Sequence, residues 1–286
     1  ITIAISLNVN DGLVLAADSA TTIIQRHPNG SERVITVYNN ANKVFNLHKG
    51  LPVGAITWGS GSIGDASIST IVKDFRNRIT YQEEHKINPT TYTVEEIAEK
   101  FYKFIYEELY QKAFSEWPDN MKPSLGFVIG GYSSNQQHAE EWRIEIKNGK
   151  CDGPILQSDL KQTGVSWNGQ PEAISRLVKG YDPDLRNILK MANLDDMKIQ
   201  EIIELCNKNL TAPIIIPAMP IQDAIDIAHF LIDLTAKYVK YTPGAPTVGG
   251  PIEIAAITKH EGFKWVKRKH YYDIKLNPKE MIFSGE

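Results

Sequence analysis

The stretch ITIAISLNVNDGLVLAADSATT, residues 1–22, decides how the rest of the chain is read. The mainly apolar runs at 3–8 and 13–17 flank Asn10, Asp11 and Gly12, a turn signal that predicts a tight antiparallel hairpin. The second run ends in Ala16, Ala17, Asp18 and Ser19, so a carboxylate stands where the strand stops. Pairing about the turn puts Thr2 and Asp18 near the same end of the hairpin. A threonine with a free α-amine carries a nucleophile and a base in one residue. While Ile1 is joined to Thr2, that nitrogen belongs to a peptide bond and has no basicity.

The elements beyond the hairpin follow a recognisable order. Residues 21–26 and 33–38 flank a polar tip at His27, Pro28, Asn29 and Gly30 and predict a second hairpin. Short strands are expected at 43–47 and 52–57. Gly59, Ser60, Gly61 and Ser62 then open a helix whose apolar residues Ile63, Ala66, Ile68, Ile71, Val72 and Phe75 recur at helical spacing. Thr93 with Glu96 three residues on is a capping-box pattern that starts a second helix through Phe101, Phe104, Ile105 and Leu109. Strands at 125–131 and 141–146 follow, then a helical region from about 171 to 210. Residues 181–218, broken by Pro183 and Pro213, read as an added helical hairpin. A helix at 220–238, a Pro- and Gly-rich loop at 242–251 and a last hairpin from 252 complete the chain. Strict βαβ alternation is absent, so antiparallel sheets sandwiched between helix layers, an α+β class, fit better than a parallel doubly wound fold. Without a linker or internal repeat, residues 1–286 read as one domain.

Bulk chemistry narrows the partners. A net charge of −3 gives no electrostatic reason to expect nucleic acid or a membrane surface. The basic stretch at 264–270 alternates and reads as a solvated edge strand. No apolar run approaches the roughly 20 residues needed to span a bilayer, and no signal peptide is expected at the N-terminus. The 2 cysteines, Cys151 and Cys206, form neither a disulfide framework nor a zinc spacing, which favours a reducing, cytoplasmic setting. Phosphate-loop, dinucleotide, Gly-x-Ser-x-Gly and His-Glu-x-x-His patterns are all missing, so no cofactor or metal is expected. What remains is Thr2, Asp18 and Lys43. Singly, each has an ordinary reading: a strand-initial residue, a turn cap and a solvated strand-end lysine. Their arrangement raises the interest: Thr2 and Asp18 fall near one end of the hairpin, and a third strand beginning at Lys43 is placed to bring its ammonium to that pair.

The order of these segments resembles the proteasome β subunits and the related bacterial ring peptidases, which are N-terminal nucleophile hydrolases. The resemblance rests on TIAISLNVNDGLVLAADS at 2–19, KVFNL at 43–47 and VGAITWG at 53–59. It continues with VIGG at 128–131, NGQP at 168–171 and GGPIEIAAIT at 249–258. It implies a four-layer αββα sandwich of two antiparallel sheets flanked by helices. It also implies a threonine-type peptidase working inside a ring of identical subunits on polypeptide substrates, with an ATP-dependent unfoldase as a partner. Residue by residue, it makes Thr2 the nucleophile, Lys43 the neighbouring cation and Asp18 the carboxylate that orients it. Ala55 becomes the backbone oxyanion donor, and Thr21, Phe45, Val53 and Thr57 line a moderately apolar pocket. Asn168 stands where the family usually has a serine, and Ala245, Pro246, Thr247 and Val248 replace a segment that usually carries an Asp and a Ser. Two rivals share the same fold: a structural subunit whose Thr2 stays blocked by Ile1, and a small-amide hydrolase.

Overall fold

The computed structural model describes residues 2–26, 32–157, 163–273 and 275–277. Strands β1 (Ile3–Val9) and β2 (Gly12–Ala17) pair about the expected turn, with Ala4 opposite Ala17 and Val9 opposite Gly12. Every residue of both strands is buried. A strand covered on both faces needs apolar side chains on both, which is why these runs are nearly continuous rather than alternating. The second hairpin, β3 (Thr21–Arg26) with β4 (Glu32–Tyr38), forms a two-stranded sheet of its own. Its polar tip lies outside the described residues, as does Ile1.

Strands β5 (Val44–Asn46) and β6 (Val53–Gly59) lead into a small ribbon, β7 (Ser62–Ile63) and β8 (Ala66–Ser67), before helix α1 (Ile68–Tyr81). The helix therefore starts later than its apolar spacing suggested. Gly64, at φ +55°, lets the chain turn between the two short strands, and the Ser67 hydroxyl caps α1 by accepting from the Thr70 N–H. Helix α2 (Val94–Tyr102) begins on the expected Thr93 cap, runs through a π-helical stretch (Lys103–Tyr110) and ends in the short α3 (Gln111–Ala113). Then come β9 (Leu125–Gly131), β10 (Glu140–Ile146), β11 (Ile155–Leu156), β12 (Gly164–Gly169) and α4 (Glu172–Lys179). Helices α5 (Leu185–Met191) and α6 (Asp196–Leu210) occupy the region read as a helical hairpin. Helix α7 (Ile221–Tyr241) and strands β13 (Glu253–Thr258) and β14 (Gly262–Lys267) follow.

Two five-stranded antiparallel sheets make the centre, ordered β12-β1-β2-β13-β14 and β11-β10-β9-β6-β5. Leu13, Leu15, Ile56 and Val128 pack between them. Helices α1 and α2 cover the outer face of the second sheet through Phe75, Phe101 and Phe127. Helices α4 and α7 cover the first through Ile174, Ala228, Leu231 and Ile232. The architecture is the four-layer αββα sandwich. Among the described residues, no helix is long and apolar enough to cross a membrane.

The filling between the sheets is not wholly apolar. Glu141, on β10, is buried and reaches Ser6 on β1 of the facing sheet. Burial raises its pKa above the ordinary carboxylate value, against the smaller opposing effect of the Ser6 hydrogen bond. The folded chain thus holds this proton more tightly than the unfolded one. Stability is lost as pH climbs from the ordinary carboxylate value through the raised one. Glu141→Gln should leave stability near pH 4 almost unchanged and raise it at pH 8. Each tenfold difference in proton affinity is worth about 1.4 kcal/mol. Urea titrations of both chains at the two pH values would show a constant difference if the carboxyl were not responsible.

Candidate active site

Asp18 follows β2 at the mouth end of the central hairpin and is 0% exposed. Its carboxylate is fully engaged. Oδ1 accepts from the Ile3 N–H (3.1 Å) and from Lys43 Nζ (2.6 Å), while Oδ2 accepts from the Ala20 N–H (3.1 Å) and the Gly249 N–H (3.0 Å). Three backbone donors and one ammonium make this a site built for a charged carboxylate. Lys43 lies just before β5 and is buried beside it. Loss of solvent pushes the Lys43 pKa below the ordinary lysine range. The charge and hydrogen bond of Asp18 oppose that fall, Lys269 adds to it, and Glu253 opposes it.

Thr2 precedes β1 and is 3% exposed. Its carbonyl accepts from the Gln170 N–H at 2.8 Å, which pins the start of β1 to the end of β12. Gly169 makes that approach feasible: it sits at φ +102°, and a Cβ there would lie 1.8 Å from the Thr2 carbonyl oxygen. Thr2, Thr21, Lys43 and Thr57 line one cleft of about 310 Å³, together with the 40–42 loop and the turn after β6. Four of the residues singled out by sequence are therefore brought to one cavity, with Asp18 directly behind Lys43.

Phe45, Val53 and Ala55 lie elsewhere. All three belong to the core between the second sheet and helices α1 and α2, and none lines the cleft. The register explains Ala55. Strand β6 is flanked on both sides, and the hydrogen bonds Thr57 N–H to Lys43 O (3.0 Å) and Leu47 N–H to Val53 O (3.2 Å) bracket the Phe45–Ala55 pair. Alternation along an antiparallel ladder places the Ala55 N–H within that ladder, facing Phe45. It cannot serve as an oxyanion donor.

Sequence reasoning missed Gly59. Its N–H points the same way as that of Thr57, two residues earlier, but beyond the end of β5, where no partner strand continues. Gly59 lines the cleft at φ +91°. The signal was the glycine-rich run at 59–64, which also reads as an ordinary turn. The basic stretch at 264–270 was missed in part as well. Its first residues form the exposed edge strand β14, but Lys269 turns inward toward the site. Among the described residues, no group of three or more His, Cys, Asp or Glu side chains is placed to hold a metal ion.

No model of a known protein family matches the sequence, and no curated protein matches it either. Solved structures do. Anbu (ancestral beta-subunit) from Yersinia bercovieri superposes with a TM-score of 0.52 at 12% identity, covering 94% of this chain and 88% of that one. An Anbu (Gly-1) mutant from Hyphomicrobium sp. strain MC1 gives 0.51 at 13% identity, covering 95% and 90%. The family expectation drawn from the opening motif is corrected by these findings. The likeness found is to Anbu structures, not a sequence match to proteasome β subunits or bacterial ring peptidases, and at 12% and 13% identity it shows a shared fold alone.

Proposed function

We propose that this chain is a threonine-type peptidase whose nucleophile is the Thr2 hydroxyl, acting on polypeptide substrates within an assembly of identical subunits. The observation that carries this reading is Thr2 lining a cleft beside the buried Lys43–Asp18 pair. The reaction needs the Thr2 amine freed from residue 1. Its unperturbed pKa of about 7.7–8.0 then makes it a base at working pH. Thr2 Oγ1 attacks the substrate carbonyl and its proton passes to the α-amine, directly or through water. The new oxyanion meets the Gly59 N–H, and the Lys43 ammonium offsets the developing charge. Collapse breaks the peptide C–N bond, the amine leaves with the proton, and water hydrolyses the remaining ester. With Phe45 and Val53 packed in the core, the walls offered by Thr21 and Thr57 favour a small or polar residue before the cut.

The test compares a chain whose first residue is Thr2 with one that keeps Ile1. Each is incubated with a peptide epoxyketone, which needs both a hydroxyl and an adjacent free amine to close its adduct. The expected result is one adduct on residue 2 of the Thr2-first chain and none on the other, with hydrolysis of a fluorogenic peptide panel following the same split. A Thr2-first chain that neither forms the adduct nor cleaves any peptide would leave the structural-subunit reading in its place. Cleavage of small amides only would favour the amidase.

A further inference from the structure

Strand β14 ends at Lys267, and two residues later Lys269 turns from the edge of the sheet into the molecule. The Lys269 ammonium has three close oxygen partners, two of them hydrogen-bonded and one an ion pair. Nζ stands 2.7 Å from Glu253 Oε2, 2.8 Å from Ser19 Oγ and 2.8 Å from the Ala41 carbonyl oxygen. Glu253, at the start of β13, is 2% exposed and Lys269 is half-buried, so a second, partly buried ion pair stands behind the first.

The three acceptors belong to the machinery around Thr2. Ser19 follows Asp18, its hydroxyl donates to the Pro251 carbonyl, and its N–H donates to the Gly249 carbonyl at 2.9 Å. Gly249 in turn donates to Asp18. Ala41 lines the cleft, and its N–H donates to the Ser19 carbonyl at 2.9 Å. Lys269 thus adds a second side-chain link between the Asp18 turn and the cleft wall, beside the Lys43–Asp18 pair.

We propose that Lys269, held by Glu253, is a positioning residue of the site: it ties the chain after β14 to Ser19 and Ala41 and so holds the Asp18–Lys43 pair and the 40–42 wall in register with Thr2. Its bearing on hydrolysis rests on the reading of Thr2 as nucleophile; its bearing on Lys43 does not. The charged groups facing Lys43 are Asp18 after β2, Lys269 after β14 and Glu253 on β13. Those facing Lys269 are Glu253, Asp18, Arg268 and Lys43 itself. Repulsion from Lys269 adds to the burial that depresses the Lys43 pKa, so removing the Lys269 charge should let it rise.

The test uses the full chain with lysine labelled at Cε, following the Lys43 titration by NMR in the parent, in Lys269→Met, and in Lys269→Met/Glu253→Gln. The double variant removes the pair without leaving Glu253 as an unpaired buried charge. The expected result is a Lys43 midpoint in Lys269→Met raised above that of the parent. In any chain that hydrolyses peptide, kcat should fall roughly tenfold with KM nearly constant, as expected for a group that acts after binding. A Lys43 midpoint in Lys269→Met that stays where the parent has it overturns the proposal. Where only the double variant folds, the lost Lys269 and Glu253 charges act on Lys43 in opposite directions, and an unchanged kcat in an active chain overturns it. So does a raised midpoint with unchanged kcat in an active chain. If the midpoint moves and no form of the protein shows Thr2-dependent hydrolysis, the peptidase reading fails and the tie to Lys43 stands.

Discussion

Replacing Thr2 by Ala in a chain that starts at residue 2 is expected to reduce peptide hydrolysis by roughly 10³-fold or more, since removing a covalent nucleophile leaves only binding and oxyanion stabilisation. The fold should tolerate the change. Thr2 is held through its backbone, by the Gln170 N–H on its carbonyl and by Ile3 entering β1, and an alanine keeps both. Truncating the side chain removes one buried methyl and one hydroxyl at the cleft wall, a loss of about 1 kcal/mol. Thr2→Ser keeps the hydroxyl and should retain measurable turnover. The comparison is a rate measurement on one fluorogenic peptide, paired with a melting curve. Turnover in Thr2→Ala within twofold of the parent would place the nucleophile elsewhere.

Removing Asp18 should have the largest effect on stability. Asp18→Ala leaves Lys43 as an unpaired buried cation and strands three N–H groups, from Ile3, Ala20 and Gly249. Breaking a buried pair from one side costs about 3–5 kcal/mol. Asp18→Asn is expected to be nearly as costly, although it conserves shape. Both carboxylate oxygens accept, Oδ1 from Ile3 and Lys43 and Oδ2 from Ala20 and Gly249. An amide offers an acceptor to one side and turns its own N–H donors on the other. Lys43→Met should be milder, because the carboxylate keeps its three backbone donors. Urea denaturation of the three variants therefore has a predicted order, and a Lys43→Met chain less stable than Asp18→Asn would contradict this account. Both Asp18 variants should also lose hydrolysis, since Asp18 anchors Lys43 and, through Ile3, the residue next to Thr2.

Much of this arrangement is legible in short windows of sequence. Asn10, Asp11 and Gly12 mark the turn of the central hairpin, and Thr93 with Glu96 marks the start of α2, because turn and cap chemistry acts over two to four residues. Helix α1 starts later than its apolar spacing predicts because Gly64 permits a short ribbon that the spacing alone does not reveal. Thr21, Lys43 and Thr57 reach the cleft with Thr2, whereas Phe45, Val53 and Ala55 go to the core. Those six residues look equally plausible along the chain. Lys43 and Phe45, like Val53, Ala55 and Thr57, are even numbers of residues apart and share a strand face, so position along the strand separates them. Lys43 and Thr57 meet at the cleft end of the β5–β6 ladder, and moving by two from Thr57 passes from a paired N–H to one beyond the end of β5.

By itself, then, the amino-acid sequence determined the hairpin, the Thr93 cap of α2, the α+β layering and the nearness of Thr2 to Asp18, all of which follow from local turn geometry and apolar patterning. Only the tertiary structure decided that Gly59 rather than Ala55 faces the cleft, that Gly249 shares in holding Asp18, and that Lys269 reaches Ser19 across 250 residues of chain. The physical reason is one of range. Caps and turns are settled between neighbours, while these contacts depend on the register and stacking of two sheets.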